Sequence, residues 1–181
     1  MMDVPVIESK RLILRPLSVD DAEEVYGWAG DERVTKYVSY STHADIASVR
    51  RWLEGLETNG ETYTFGFMLK TTHMLIGCGD IGYSAEEDAW DFGYNFRADC
   101  WGKGYATEAA RRMIRFAFEQ KGARDFIANH AVDNPASGHV IQKCGLIFYK
   151  FGELSKFDQS QTFKAKYYRA HFDSLPVYSL K

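Results

Sequence analysis

The 181-residue sequence predicts an α/β domain with some α+β character, a mixed twisted sheet with helices on both faces. Three observations carry this. Short apolar, strand-like runs alternate with amphipathic helical stretches along the chain. One helix is long, and a strand followed by a glycine-spaced loop leads into it over Phe96–Ala106. No linker, internal repeat or low-complexity tract interrupts the pattern, so residues 1–181 read as one domain with room for a core.

The elements follow in order. Arg11–Leu17 reads as a strand. Ser18–Asp21 starts a helix with an acidic first turn, which should reach about Ala29. Thr42-x-x-Asp45 opens a second helix over 43–58, with Ile46, Val49, Leu53 and Leu56 on one face. Residues 62–70 and 74–83 form a hairpin around Lys70–His73. An acidic, turn-rich stretch, Ser84–Asp88, precedes a strand over Trp90–Phe96. From Ala106 onward, Ala109, Ala110, Met113, Ile114, Ala117 and Phe118 recur in steps of three and four. Lys121-Gly122 closes that helix with a basic last turn and a terminal glycine. Asp125–Val132 is a strand, and Asn134-Pro135 starts a short helix that Gly145 ends. Leu146–Phe151 and roughly 162–172 are the last strands.

Composition narrows the functional class. The net charge of −3 argues against a general nucleic-acid binder, which carries a basic surplus. No apolar run is long enough to span a bilayer, and the first residues lack signal-peptide architecture. Cys78, Cys100 and Cys144 are odd in number and far apart, so free thiols in a reducing cytoplasm are expected. Charge is unevenly spread. Residues 1–60 hold eleven acidic against seven basic side chains, either a solvated acidic surface or a surface suited to a cationic substrate. Segment 101–124 holds six basic against two acidic, either a solvated helix face or an anion-attracting one.

Several motifs mislead. Gly77-Cys-Gly79-Asp-Ile-Gly82 fits G-x-G-x-x-G, but a turn and another strand follow it, not the helix that a dinucleotide site requires. Its glycines point to a bulge or a close backbone approach. Gly102-Lys103-Gly104 lacks the spacing of a P-loop. The histidines form no zinc-like cluster, and no metal is expected. His139 and Cys144 lie five residues apart on one helix and point away from each other.

Trp101-x-x-Gly104-Tyr105-Ala106 resembles the acyl-CoA loop of the GNAT N-acetyltransferases. Three further blocks, in that family's order, resemble its RimJ/RimL-type branch: Arg11-Leu-x-Leu-Arg15-Pro, Asp91-Phe-Gly-Tyr94, and Asn134-x-x-Ser137 with Lys143-x-Gly145. The likeness runs from about residue 7 to 150. Trp101 stands where other branches carry Gln or Arg, and Leu146 replaces the usual Phe. The last 30 residues match only loosely.

The resemblance implies a GNAT fold, with six to seven strands and a V-shaped splay between two central ones. It implies acetyl-CoA as acyl donor, a primary amine as acceptor and direct attack without an acyl-enzyme; a homodimer is a family-level expectation. Backbone N–H groups of Gly102, Lys103, Gly104, Tyr105, Ala106 and Thr107, beside Trp101, would hold the pyrophosphate at a helix N-terminus. Tyr94, Asn95 and Phe96 would pair with pantetheine. Asn134 would contact the CoA arm, although Asn before Pro135 is also an ordinary helix start. A tyrosine common seven residues after that asparagine is absent here, where Ile141 stands. Ser137 is therefore the implied donor to the CoA sulfur, or an ordinary first-turn residue. Asp91 is the candidate to take the amine proton, or a strand-end carboxylate; Glu108 is a second candidate, or a group that orders its helix. An α-amine near pKa ~7.8 asks for less base assistance than a lysine near ~10.4, which favours a protein N-terminus over a lysine. A small amine, such as a polyamine or an antibiotic-like molecule, and a non-catalytic acyl-CoA sensor are the alternatives. The helices over 18–29 and 43–58, with Tyr167, Tyr168 and Phe172, are expected to shape the acceptor pocket.

Overall fold

The structure is a computed structural model, and it describes residues 3–56 and 62–178. Eight strands form one sheet in the order β1-β2-β3-β4-β5-β6-β8-β7. They are β1 (Ile7–Glu8), β2 (Leu12–Arg15), β3 (Thr62–Leu69), β4 (Leu75–Ser84), β5 (Ala89–Phe96), β6 (Asp125–Ala131), β7 (Ile147–Ser155) and β8 (Thr162–His171). The helices are α1 (Ala22–Ala29), α2 (Glu32–Thr35), α3 (Ile46–Leu56), α4 (Tyr105–Lys121) and α5 (Pro135–Lys143). The eighth strand is the two-residue β1, too short to leave an alternating pattern. One-turn α2 was also not expected; the Asp31 side chain caps it by accepting from the Arg33 N–H at 3.0 Å. The end of the expected 43–58 helix lies outside the described residues.

The sheet is antiparallel except where β5 and β6 run parallel, joined by the α4 crossover. Each face has its own core. Against one face α4 buries Ala109, Ala110, Met113, Ile114, Phe116 and Ala117. Phe116, outside the apolar stripe read from the sequence, meets Tyr63 and Phe65 edge-on at 5.1 and 5.6 Å. On the other face, α1 and α3 bury Val25, Trp28, Val49 and Leu53 around Leu75.

The misleading glycines keep strands close. A Cβ on Gly77 would lie 2.3 Å from the Asn95 carbonyl oxygen, and one on Gly79 would lie 2.5 Å from that of Gly93. On their other side the β3–β4 pairing shifts register between Phe67 and Met68, with Ile76 of β4 as the extra residue of a bulge.

Candidate active site

Parallel pairing between β5 and β6 lasts two positions, Trp90 with Phe126 and Asp91 with Ile127. Beyond Asp91 the strands part, and β5 from Phe92 to Phe96 pairs only with β4. This is the expected splay. It opens into a cavity of about 600 Å³ whose lining includes Asp91, Tyr94, Asn95, Asn134 and Ser137. Phe96, Trp101 and Gly102–Thr107 lie outside that lining. Phe96 directly follows Asn95 of the lining, and the Trp101 indole donates to the Phe96 carbonyl at 2.9 Å.

The loop enters α4 through two left-handed glycines, Gly102 (φ 74°) and Gly104 (φ 81°, the N-cap). Such angles are strained for any residue with a Cβ. Arg11 fixes the loop from outside: it donates to the Lys103 carbonyl at 2.9 Å and stacks 4.4 Å over the Tyr105 ring. Glu108 accepts from Ser9 Oγ, the Arg11 N–H and Arg11 Nε. Burial works against its charge, but these bonds outweigh it and hold Glu108 below the usual carboxylate range. Glu108 thus ties α4 to the turn before β2 and is no candidate base. The basic face of α4 is similarly committed. Arg111 donates to the Lys143 carbonyl at the end of α5, Arg112 to the Glu8 carbonyl, and Arg115 pairs with Glu119.

On the far wall, Asn134 is the N-cap position of α5, but its side chain makes no capping bond. Gly138 lets the first turn settle on His130; a Cβ there would lie 2.5 Å from His130 Nε2. His130 Nδ1 lies 2.7 Å from the Ala131 carbonyl and so carries the proton, leaving Nε2 to accept from Tyr168 at 3.1 Å. Burial holds this imidazole below its usual pKa, so it is neutral at pH 7. This seat places Ser137 Oγ 3.1 Å from the Tyr94 hydroxyl, across the splay. Burial pushes the Tyr94 phenol well above its usual pKa, with the Ser137 contact opposing, so Tyr94 remains protonated.

Asp91 pairs with Gly82 and Asp80 with Gly93, which sets both carboxylates on one face of the sheet, facing the cavity. Asp80 is open to the cavity yet surrounded by protein, and burial pushes it up to about 6. Burial, with Asp80 nearby, pushes Asp91 up to about 7. Neither has an ion-pair partner among the described residues. The sequence reading missed Asp80, although a lone carboxylate in an apolar, glycine-rich strand was its visible mark. Cys144 is fully buried and its thiol is pushed up to about 12, consistent with a packing role.

The remaining wall comes from the loop Tyr37–Tyr40, from Trp52 and Leu56 of α3, and from Leu154, Ser155 and Phe157. The C-terminal aromatics expected there are elsewhere. Tyr168 bonds His130, the Tyr167 hydroxyl donates to the Glu153 carbonyl, and Phe172 packs on Phe126. No residue of α1 reaches the lining either; that helix supports α3 from behind. Among the described residues, no group of three or more His, Cys, Asp or Glu side chains is placed to hold a metal, and no helix is long and apolar enough to cross a membrane.

Comparison with known proteins agrees with this geometry. An uncharacterized N-acetyltransferase, p20 of Bacillus licheniformis, is 27% identical over 168 residues, covering 84% of this chain and 87% of its own. A GNAT-family acetyltransferase from Bacillus anthracis superposes with a TM-score of 0.81 at 21% identity, covering 92% of this chain and 98% of its own. RimL, a ribosomal L7/L12 α-N-protein acetyltransferase solved with coenzyme A, superposes at 0.77 with 15% identity, covering 94% and 98%. The model of the acetyltransferase (GNAT) domain matches residues 11–147, from just before β2 to the first residue of β7. The chain therefore belongs to the GNAT acetyltransferase family.

Proposed function

We propose that this single-domain acetyltransferase of the RimJ/RimL type moves an acetyl group from acetyl-CoA to a primary amine, a protein N-terminal α-amine in the first instance. The splay carries the reading. It leaves one edge of β5 without a strand partner and brings Asp91 and Ser137 to one cavity. An amide-bearing pantetheine chain fits such an edge, and the left-handed glycines at the mouth of α4 fit a pyrophosphate. The α-amine preference rests on the smaller base assistance that an α-amine needs and on the RimJ/RimL-type blocks; the RimL likeness, a fold likeness, is in line with it. Cytoplasmic placement and a homodimer are parts of the same expectation.

In this reading Gly102–Thr107 hold the pyrophosphate through their N–H groups, while Tyr94, Asn95 and Phe96 align the thioester along β5. Asn134 contacts the CoA arm. Asp91 takes the proton from the incoming ammonium, and its pKa of about 7 suits that task. The free amine attacks the thioester carbon; the N–C bond forms and the C–S bond breaks. Ser137 passes its proton to the departing sulfur and is reprotonated by the proton that the amine nitrogen loses as the amide forms. Tyr94, always protonated, donates to Ser137 Oγ and so turns the serine O–H toward the ligand.

An acceptor screen tests the reading: free N-terminal peptides, N-blocked lysine peptides, spermidine and aminoglycosides, each with acetyl-CoA and a thiol readout. Release of CoA with N-terminal peptides supports it. Turnover with spermidine or aminoglycosides alone moves the acceptor to small amines. Tight acetyl-CoA binding without turnover on any amine replaces the enzyme with a sensor.

A further inference from the structure

Lys156 lies in the turn between β7 and β8, beyond the matched residues 11–147. It is only 5% exposed. A buried lysine ordinarily has a carboxylate partner. This one has no ion pair among the described residues; its ammonium donates to three backbone carbonyls, Thr35 at 2.7 Å, Val38 at 3.2 Å and Tyr40 at 3.0 Å. All three ammonium hydrogens are thereby used. Two further bonds join the same segments. The Phe157 N–H donates to the Ser39 carbonyl at 2.7 Å, and Ser41 Oγ donates to the Asp158 carboxylate. Tyr37 adds an edge-on contact with Phe163 at 5.3 Å.

Both latched segments line the cavity on the side away from the α4 loop, the first with Tyr37–Tyr40 and the second with Leu154, Ser155 and Phe157. A loop without regular structure keeps one shape only where its backbone groups have fixed partners. Here one side chain, more than a hundred residues downstream, supplies three of them. We infer that Lys156 is the positioning residue of the acceptor wall: it pins the 35–40 carbonyls so that Tyr37–Tyr40 and Phe157 present one fixed, selective surface to the amine. Lys156 touches no reacting atom and acts through those residues. The inference rests on the proposed acetyltransferase reading.

The experiment compares wild type, Lys156→Met and Ser41→Ala with three acceptors: an alanine-initiated hexapeptide, an N-blocked lysine peptide and spermidine. Acetyl-CoA affinity is measured by calorimetry on the same samples. In Lys156→Met, the KM for the best acceptor rises about tenfold, in line with the loss of charged hydrogen bonds, and the ratio of kcat/KM between acceptors changes. Acetyl-CoA affinity holds within about twofold. Ser41→Ala, a half-buried change, shifts the same ratio in the same direction by a smaller factor. General loosening of the fold would depress all acceptors alike and leave the ratio fixed. A folded Lys156→Met with unchanged acceptor KM and ratio overturns the inference. If Lys156→Met does not fold, an unchanged ratio in Ser41→Ala overturns it. A wild type that acetylates none of the acceptors overturns the proposed function, and this inference with it.

Discussion

The two sides of the cavity are built from different materials. The side toward α4 uses backbone from one continuous stretch: the β5 edge, two left-handed glycines and the first turn of a helix. The opposite side uses side chains from segments more than a hundred residues apart, joined by Lys156. Backbone recognition depends on a few residue types at fixed spacing. Side-chain recognition depends on which loops meet in space, and it varies freely with sequence. A shared donor and a variable acceptor call for that division.

Substitutions can break the contrast or sharpen it. The largest expected effect is at the junction of the two sides. Asp91→Asn lowers kcat about a hundredfold, the scale of lost general-base assistance, and flattens the pH–rate profile near 7. An unchanged profile removes Asp91 from the mechanism. Next comes Ser137→Ala, which lowers kcat about tenfold while acetyl-CoA affinity is kept; undiminished kcat excludes the serine as donor. Tyr94→Phe lowers kcat by a smaller factor, and only while Ser137 is present. An equal loss in the Ser137→Ala background shows that Tyr94 acts elsewhere.

On the backbone side, Gly104→Ala imposes a Cβ at φ 81°, a cost of about 1–2 kcal/mol. Acetyl-CoA binding weakens about five- to thirtyfold by calorimetry, whereas acceptor KM is unaffected. A change in acceptor KM alone reverses the assignment of the two sides.

The smallest effect is on stability. The folded state holds the Asp91 proton up to about pH 7, whereas the unfolded chain releases it near pH ~4. This group's contribution to stability therefore falls as pH rises through that window. Asp91→Asn removes the fall, so its Tm exceeds the wild type by a few degrees at pH 8, and the difference vanishes near pH ~4. Equal Tm values at pH 8 contradict the raised pKa.

The same division governs what the sequence makes legible. The glycine loop and the α4 and α5 starts depend on local spacing, and the long strands and helices are legible to within a few residues; the splay, set by pairing between distant strands, came only with the family resemblance. The RimJ/RimL-type blocks lie in that half. Asp80 left a faint trace, one carboxylate among apolar neighbours, and only pairing across β4 and β5 makes it a partner of Asp91. Lys156 left none. Nothing near it in the chain distinguishes it from a surface lysine, because its partners are carbonyls of a loop met only on folding. The basic surplus of α4 misled for the converse reason. Composition counted Arg111, Arg112 and Arg115 as available charge, but tertiary contacts hold the first two and Glu119 on the same helix pairs with the third.

With only two rungs between β5 and β6, the eight strands are close to being two sheets, five strands and three, joined along a short seam. A ligand lying along β5 supplies the rungs that the seam lacks. Binding then acts as a stitch as well as a recognition event, linking the opening of the two halves. Under the proposed reading, amide exchange slows together on β5 and on β6 when acetyl-CoA is added.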